Sequence, residues 1–296
     1  MPGNLIYLRR RIKSVKNTQK LTKAMKTVAA AKLRRATAEL KKTRPHRDKI
    51  TFLLHQTGVM LDLTQQPLLK KRKQGSILLV VVASDKGLCG AFNSHVLKQG
   101  ENYYRELVER GEAVSLITVG TMASRYFGKR NLEIKTAHNG LINRLQFADA
   151  KSLADSLMDI YLHEEIKGIE FAFHEFVSAS RQQFTIRCLL PVDMEWSVVT
   201  DNEKEKNIEK TKYIFEPGAA AIFQALLPRA ITAFVYQILL QSMAAEQVSR
   251  MVAMDLATRN ASDMIRSLTL LLNKMRQASI TKELLEIITA TEALNK

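Results

Sequence analysis

The sequence predicts an α/β fold of a particular kind: a long antiparallel coiled coil of N- and C-terminal helices, with a mostly parallel α/β domain inserted between them. Three observations predict it. Long runs at both ends, Asn4 to Arg44 and Arg229 to Lys296, contain no Gly or Pro. Apolar or small residues recur three or four apart along both runs, the spacing of a helix with one buried seam. Between them the pattern changes to short β-branched apolar runs alternating with helical ones.

The first run is rich in Leu, Lys, Arg, Gln and Ala, all good helix formers. Its seam reads Leu5, Leu8, Ile12, Val15, Thr18, Leu21, Met25, Val28, Leu33, Ala36 and Leu40. At a rise of about 1.5 Å per residue such a rod is roughly 60 Å long, more than a compact domain needs. The last run repeats the pattern through Ile231, Val235, Ile238, Ala245, Val248, Val252, Leu256, Ala261, Met264, Leu268, Leu271, Met275, Ala278, Leu285 and Ile288. Two rods of one period should pair antiparallel, the longer C-terminal one projecting beyond its partner. The coiled-coil segments are assigned to residues 1–58 and 212–296 and the inserted domain to 76–195.

Within the insert, Ser76 to Ala83 (SILLVVVA) is a continuous apolar run, as expected of a strand buried on both faces. A loop, Ser84 to Gly90, leads into a helix over Ala91 to Arg110. Strands follow at Ala113 to Val119 and Leu132 to Ala137, a helix around Phe147 to Ile166, then strands Ile169 to Val177 and Gln183 to Leu190, the last two joined as a hairpin across Ser178 to Arg181. Strands alternating with helices make the insert Rossmann-like. The polar stretch Thr200 to Lys212 reads as a mobile loop.

Composition narrows the function. Forty-six per cent hydrophobic and 25% charged residues are ordinary globular values, which excludes wholesale disorder. The two cysteines, Cys89 and Cys188, give no disulfide framework and no zinc spacing. No unbroken apolar run is long enough to span a bilayer, so the expectation is a soluble or peripheral chain. Net charge is +16, but residues 1–50 hold sixteen Lys and Arg against Glu39 and Asp48, so nearly all of the excess sits on the first rod. Those bases spread around the helix, and Tyr7 is its only aromatic residue up to Arg44, which favours a protein partner over a nucleic acid.

Candidate chemistry is sparse. The Ser84-Asp85-Lys86-Gly87-Leu88-Cys89-Gly90 loop stands where a phosphate loop would, yet it matches neither the dinucleotide nor the P-loop spacing, and a tight turn is the favoured reading. Cys89 and His95, six apart, fall on different faces of a helix and make a poor nucleophile and base. His163 and His174 have no ligand pattern around them and read as solvated or core residues. No catalytic, cofactor-binding or metal residue is assigned.

Four stretches carry a resemblance: RIKSVKNTQKLTKAMKTVAAAKLRR from Arg11, SDKGLCGAFN from Ser84, YIFEPGAAAIFQALLPR from Tyr213 and SRMVAMDLATRNASDMIRSLTLLLNKMRQASITKELLEII from Ser249. In their order and over nearly the whole length the chain resembles the gamma-subunit family of bacterial F-type ATP synthases. That resemblance implies a non-catalytic central shaft turning inside a ring of three alpha and three beta subunits, with the epsilon subunit and the membrane c-ring at its foot. It implies a place on the cytoplasmic face of the bacterial inner membrane, with membrane contact only through the complex, no cofactor and no nucleic acid. It also implies that Arg250, Gln277, Thr281 and Met25 contact the beta subunit, and that Tyr213 and Glu216 lie near the epsilon and c-ring foot. The basic first rod then suits acidic loops of beta.

Two departures from that family are visible. Thr289-Ala290-Thr291 stands where a glycine is common, leaving the last helix free to continue, and Pro191 to Lys212 lacks the cysteine-bearing insert of photosynthetic versions. The rival readings are a nucleotide-dependent α/β enzyme with coiled-coil arms and a nucleic-acid-binding coiled coil.

Overall fold

The computed structural model describes residues 2–63, 66–178, 181–193 and 213–294. Thr200 to Lys212, read above as a loop, lies outside the described residues. Two compact units divide the chain: Ala31–Ser249 forms one, and Met1–Ala30 with Arg250–Lys296 forms the other. Helices α1 (Pro2–Gly58) and α5 (Ala219–Leu294) contribute to both. Each extends past the Gly- and Pro-free run that announced it. Pro45 and Pro228 sit inside these helices, where each forgoes one backbone hydrogen bond without ending the helix. Residues 213–218 precede α5 and are not helical.

The larger unit is built on a five-stranded sheet in the order β3-β2-β1-β4-β5. Its strands are β1 (Ser76–Val82), β2 (Val114–Val119), β3 (Ile134–His138), β4 (Ile166–Phe176) and β5 (Gln182–Leu190). The first four are parallel, and β5 pairs antiparallel with β4 through the expected hairpin, closed by Ser178 and Arg181. β1 is central and its side chains from Ile77 onward are all buried, as its unbroken apolar run requires.

Helices α2 (Phe92–Glu109) and α3 (Thr121–Gly128) cover one face of the sheet, and α4 (Phe147–His163) covers the other. The short α3 has no counterpart in the sequence reading. Along α4, Ala150, Leu153, Ala154, Leu157, Met158 and Tyr161 are buried, one stripe at helical spacing. Asp149 accepts the Gln146 backbone N–H at 2.9 Å and closes the helix start. On the α4 side the core also takes Ile50 and Leu54 of α1 and Phe223, Leu227, Ile231, Val235, Ile238 and Leu239 of α5. Part of α5 is apolar enough, by length and composition alone, to cross a membrane. In the first turns of α5, Phe223, Leu227, Ile231 and Val235 are buried in the core on the sheet.

The smaller unit is a helix pair. Leu8 and Ile12 of α1 are buried against Leu268 of α5, flanked by Val15, Leu272 and Met275. Further along, Gln19 donates to Ser262 at 2.7 Å, Thr22 meets Thr258 at 2.8 Å and Lys26 meets Asp255 at 2.5 Å. Numbers climb on one helix while they fall on the other, so the pair is antiparallel. By the same register the start of α1 at Pro2 lies opposite about Ala278, and from Ile280 to Thr291 every α5 residue is exposed. The expected projection of the C-terminal helix beyond its partner is present.

The seam differs from the one the apolar pattern marked. Thr18, Leu21 and Val28 face outward, and Gln19, Thr22 and Ala29 take their places, Ala29 at 1% exposure and Thr22 at 8%. On α5, Val252, Leu256, Met264, Leu271, Ala278, Leu285 and Ile288 are exposed, while Met254, Thr258 and Ala261 face inward to different degrees. The physical reason is that the middle of this seam is held by hydrogen bonds, so its inward positions are polar or small and the apolar residues beside them are left outside.

Candidate functional site

Lys26 is the charged element of the polar seam. Its ammonium donates to Asp255, which also pairs with Arg259 at 2.9 Å one turn along α5. The Lys26 hydrogen bond, with help from the Arg259 charge, holds the Asp255 carboxyl below the usual carboxylate range. In contrast, Arg9, Arg10, Arg11, Lys13, Lys16, Lys20 and Lys23 are exposed, so most of the positive charge of the first helix points away from the pair. Leu21, Val28, Val252 and Leu256 stand between 56% and 65% exposed among those bases. A basic, apolar outer surface over a polar inner seam is suited to a protein environment.

Met25 and Arg250 are half-buried in this unit, and Arg250 has a partner within the chain. Gln277 and Thr281 are exposed one turn apart where α1 ends and α5 continues, and the Thr281 hydroxyl donates to the Gln277 carbonyl at 3.0 Å. Twenty-seven residues of helix, roughly 40 Å, separate Arg250 from Gln277. The structure therefore places these candidates in two zones, one where α5 enters the pair and one at the base of the overhang. In the larger unit Tyr213 is half-buried, its ring 6.1 Å from Phe52 and 6.3 Å from Phe215, and Glu216 is exposed.

The Ser84–Gly90 loop is a tight turn with Leu88 at φ +63° and Gly90 at φ +59°. Asn93, the last residue of the SDKGLCGAFN stretch, ties it down: its Oδ1 accepts from Ser84 N and Oγ at 3.1 and 2.8 Å, and its Nδ2 donates to Cys89 Sγ at 3.1 Å. Asp85 does more. Its carboxylate accepts from Thr121 N, Thr121 Oγ1, Gly140 N and Asn143 N at 2.7 to 3.2 Å. An α/β sheet offers the helix N-termini at its carboxyl edge to phosphate, and here the protein's own carboxylate takes those donors at α3. Cys89 is 1% exposed and bonded to Asn93, while His95 is turned to His174, so no nucleophile and base pair forms between them. His163 is exposed and His174 buried, as expected of solvated and core histidines.

The sequence reading missed the Lys26–Asp255–Arg259 network and the threonine pair. A signal for both was present: polar residues at helical spacing, Gln19, Thr22 and Lys26 on one helix and Asp255, Thr258 and Ser262 on the other, fall opposite each other once the helices run antiparallel. Replacing Thr22 alone with Val should destabilise the pair by about 1 kcal/mol, because the Thr258 hydroxyl loses the Thr22 hydroxyl and keeps only the Met254 carbonyl of its own helix, at 2.7 Å. Replacing both should recover most of that, since two facing valines pack without unpaired polar groups. Thermal melting of the four proteins of the double-mutant cycle checks the expectation, and additive losses would refute it.

The model of the ATP synthase family matches residues 4–294 of this chain. The ATP synthase gamma chain of Pelotomaculum thermopropionicum is 39% identical over 97% of this chain and 98% of its own length. The chain belongs to the ATP synthase gamma-chain family. A second relative, the ATP synthase gamma chain of Desulforamulus reducens, is 40% identical over the same shares. Among solved structures, a chain of the Tetrahymena thermophila mitochondrial ATP synthase central stalk and c-ring is similar with a TM-score of 0.57 and 25% identity. It covers 80% of this chain and 99% of that one. A chain of the Euglena gracilis mitochondrial ATP synthase, a structure of OSCP, F1 and c-ring, has the same fold with a TM-score of 0.66 at 19% identity, over 99% and 95%. Family membership accords with the two terminal helices and the five-stranded sheet between them.

Proposed function

We propose that this chain is the central-stalk rotor subunit of a bacterial F-type ATP synthase, non-catalytic itself, carrying torque between the membrane c-ring and the ring of three alpha and three beta subunits. The observation that carries the reading is the helix pair with its overhang: a rod with a basic, partly apolar outside and one helix longer than the other. Such a rod has no rotational symmetry. Three identical subunits around it meet three different faces at any instant, and each is biased to a different conformation. Shifting a two-state subunit from 1:99 to 99:1 takes about 5.5 kcal/mol of differential contact. A few charge-assisted hydrogen bonds at about 1.5 to 3 kcal/mol each suffice.

In this reading Arg250 and Met25 meet the beta subunit near the start of the pair, and Gln277 and Thr281 meet it at the base of the overhang. Arg250 has a guanidinium fork for carboxylates or carbonyls, and Gln277 offers neutral bonds that break and re-form at each step. Tyr213 and Glu216 belong to the foot, toward epsilon and the c-ring. Segments 1–58 and 212–296 act as the shaft and 76–195 as the foot domain. The chain is peripheral, at the cytoplasmic face of the inner membrane, held there by its partners.

The test is reconstitution with purified alpha and beta subunits. A stable complex whose multi-site ATPase depends on this chain is expected, with turnover falling at least about tenfold in Arg250→Ala with Gln277→Ala, an effect of about 1.4 kcal/mol or more on the barrier. Assembly with unaltered turnover in the double variant would remove those residues from the interface. Failure to assemble, with ATP or nucleic acid bound by the chain alone, would overturn the rotor reading.

A further inference from the structure

His174 lies on β4 at 5% exposure, enclosed by the rings of Phe92, His95 and Phe184 at 5.2, 5.0 and 6.2 Å. Its Nε2 is 3.1 Å from Nδ1 of His95, an exposed residue on the first turn of α2. Its Nδ1 is buried with no hydrogen-bond partner. These contacts decide where the proton sits. A buried N–H without an acceptor costs more than a buried lone pair without a donor, so His174 carries its hydrogen on Nε2 and donates it to His95 Nδ1. His95 Nδ1 then carries no hydrogen and accepts that bond.

We propose that the His95–His174 hydrogen bond is an acid-sensitive latch that fastens the first turn of α2 to β4, and with it the seat of α5 at Ala245. An added proton has no good place in this pair. On His95 Nδ1 it would set two donors face to face, and on His174 Nδ1 it would create a buried donor with nothing to accept it. Either protonation breaks the bond. The residues beside the latch form one small core, Cys89, Phe92 and Ala245 with Phe176, which is where the loop, α2 and α5 meet.

The other titratable or charged groups on the surrounding elements are Cys89 on the loop, Lys98 one turn along α2, Glu175 on β4 and Glu246 on α5. None is a hydrogen-bond partner of either His174 nitrogen. Glu175 accepts from Thr185 and Arg187 of β5, and Cys89 is held by Asn93. Burial, followed by the neighbouring His95, lowers the His174 pKa from the usual imidazole value near 6.5 to about 4. The sign follows: stabilisation from the neutral pair is complete above about pH 6.5 and is lost as pH falls toward 4.

Hydrogen exchange of the full chain tests the latch, with the exchange of peptides over residues 89–100 corrected for the intrinsic effect of pH. Between pH 7.5 and 5 their protection should fall at least tenfold relative to peptides over β1. His174→Phe, which fills the aromatic site without a titrating group, should abolish that pH dependence while leaving β1 protected. Nitrogen-15 chemical shifts of the imidazoles at pH 7.5 should show His174 protonated at Nε2 alone. Protection independent of pH, an unchanged pH dependence in His174→Phe, or a His174 proton on Nδ1 would each overturn the proposal. Should His174→Phe fail to fold, His174→Gln, which likewise cannot titrate, replaces it with the same expected loss of pH dependence.

Discussion

Gly120→Ala is expected to lower the stability of the larger unit by about 2 to 6 kcal/mol, a large share of the 5 to 15 kcal/mol that holds a typical domain. Gly120 joins β2 to α3 at φ +98°, and a Cβ placed there would stand 2.1 Å from the Ala83 carbonyl oxygen at the end of β1. Both partners are backbone, so neither yields by turning a side chain. Gly120 N also donates to His138 O at 2.9 Å, which ties the same point to β3. Strain at the dihedral contributes about 1 to 3 kcal/mol and the overlap a similar amount. Gly87→Ala is the control, since a Cβ there meets nothing within 4 Å. Urea unfolding followed by circular dichroism should show a large drop in midpoint for the first and almost none for the second. Equal midpoints would mean that β1 and the β2–α3 turn do not approach as closely as described.

Asp85→Ala should follow with a loss of about 2 to 4 kcal/mol. One carboxylate gathers three backbone N–H groups and a hydroxyl from the start of α3 and from the segment after β3. Hydrogen bonds to a charged acceptor contribute about 1.5 to 3 kcal/mol apiece where water is excluded, and less here because Asp85 is half-exposed. Asp85→Asn keeps one acceptor oxygen and should lose about half as much. Hydrogen exchange localises the effect: Thr121, Gly140 and Asn143 amides should lose protection while β4 and β5 keep theirs. Uniform loss across the sheet would indicate global destabilisation and remove Asp85 from this role.

The same loop shows how far the sequence could be read. Its tight turn was legible from the mismatch with phosphate-loop spacing. What fills the anion position was not, because Thr121, Gly140 and Asn143 lie 36, 55 and 58 positions from Asp85. Strand β1 was plain from seven consecutive apolar or β-branched residues. Helix α3, eight residues between two strands, is too short for periodicity to show. The helix pair was foreseen in direction and overhang, but its seam was assigned by hydrophobicity alone. That rule works at Leu8 and Ile12 and fails at Gln19 and Thr22, where the partner supplies a hydrogen bond rather than an apolar surface. Among the residues tied to partners by resemblance, Gln277 and Thr281 show on the structure only as exposed side chains one turn apart, because their proposed partner is another chain.

The pairing of the two ends of the chain also bears on its synthesis. Gln19 and Ser262 are 243 positions apart, and Thr22 and Thr258 are 236 apart. Translation proceeds at about 5 to 20 residues per second, so the first helix waits roughly 12 to 50 s before its mate leaves the ribosome. During that interval an emerging rod bearing fourteen excess positive charges has no companion. The sheet, whose strands emerge in the meantime, can form while the helix pair cannot. The helix pair, and the face of the sheet that α5 covers, are therefore completed only after every strand has been made.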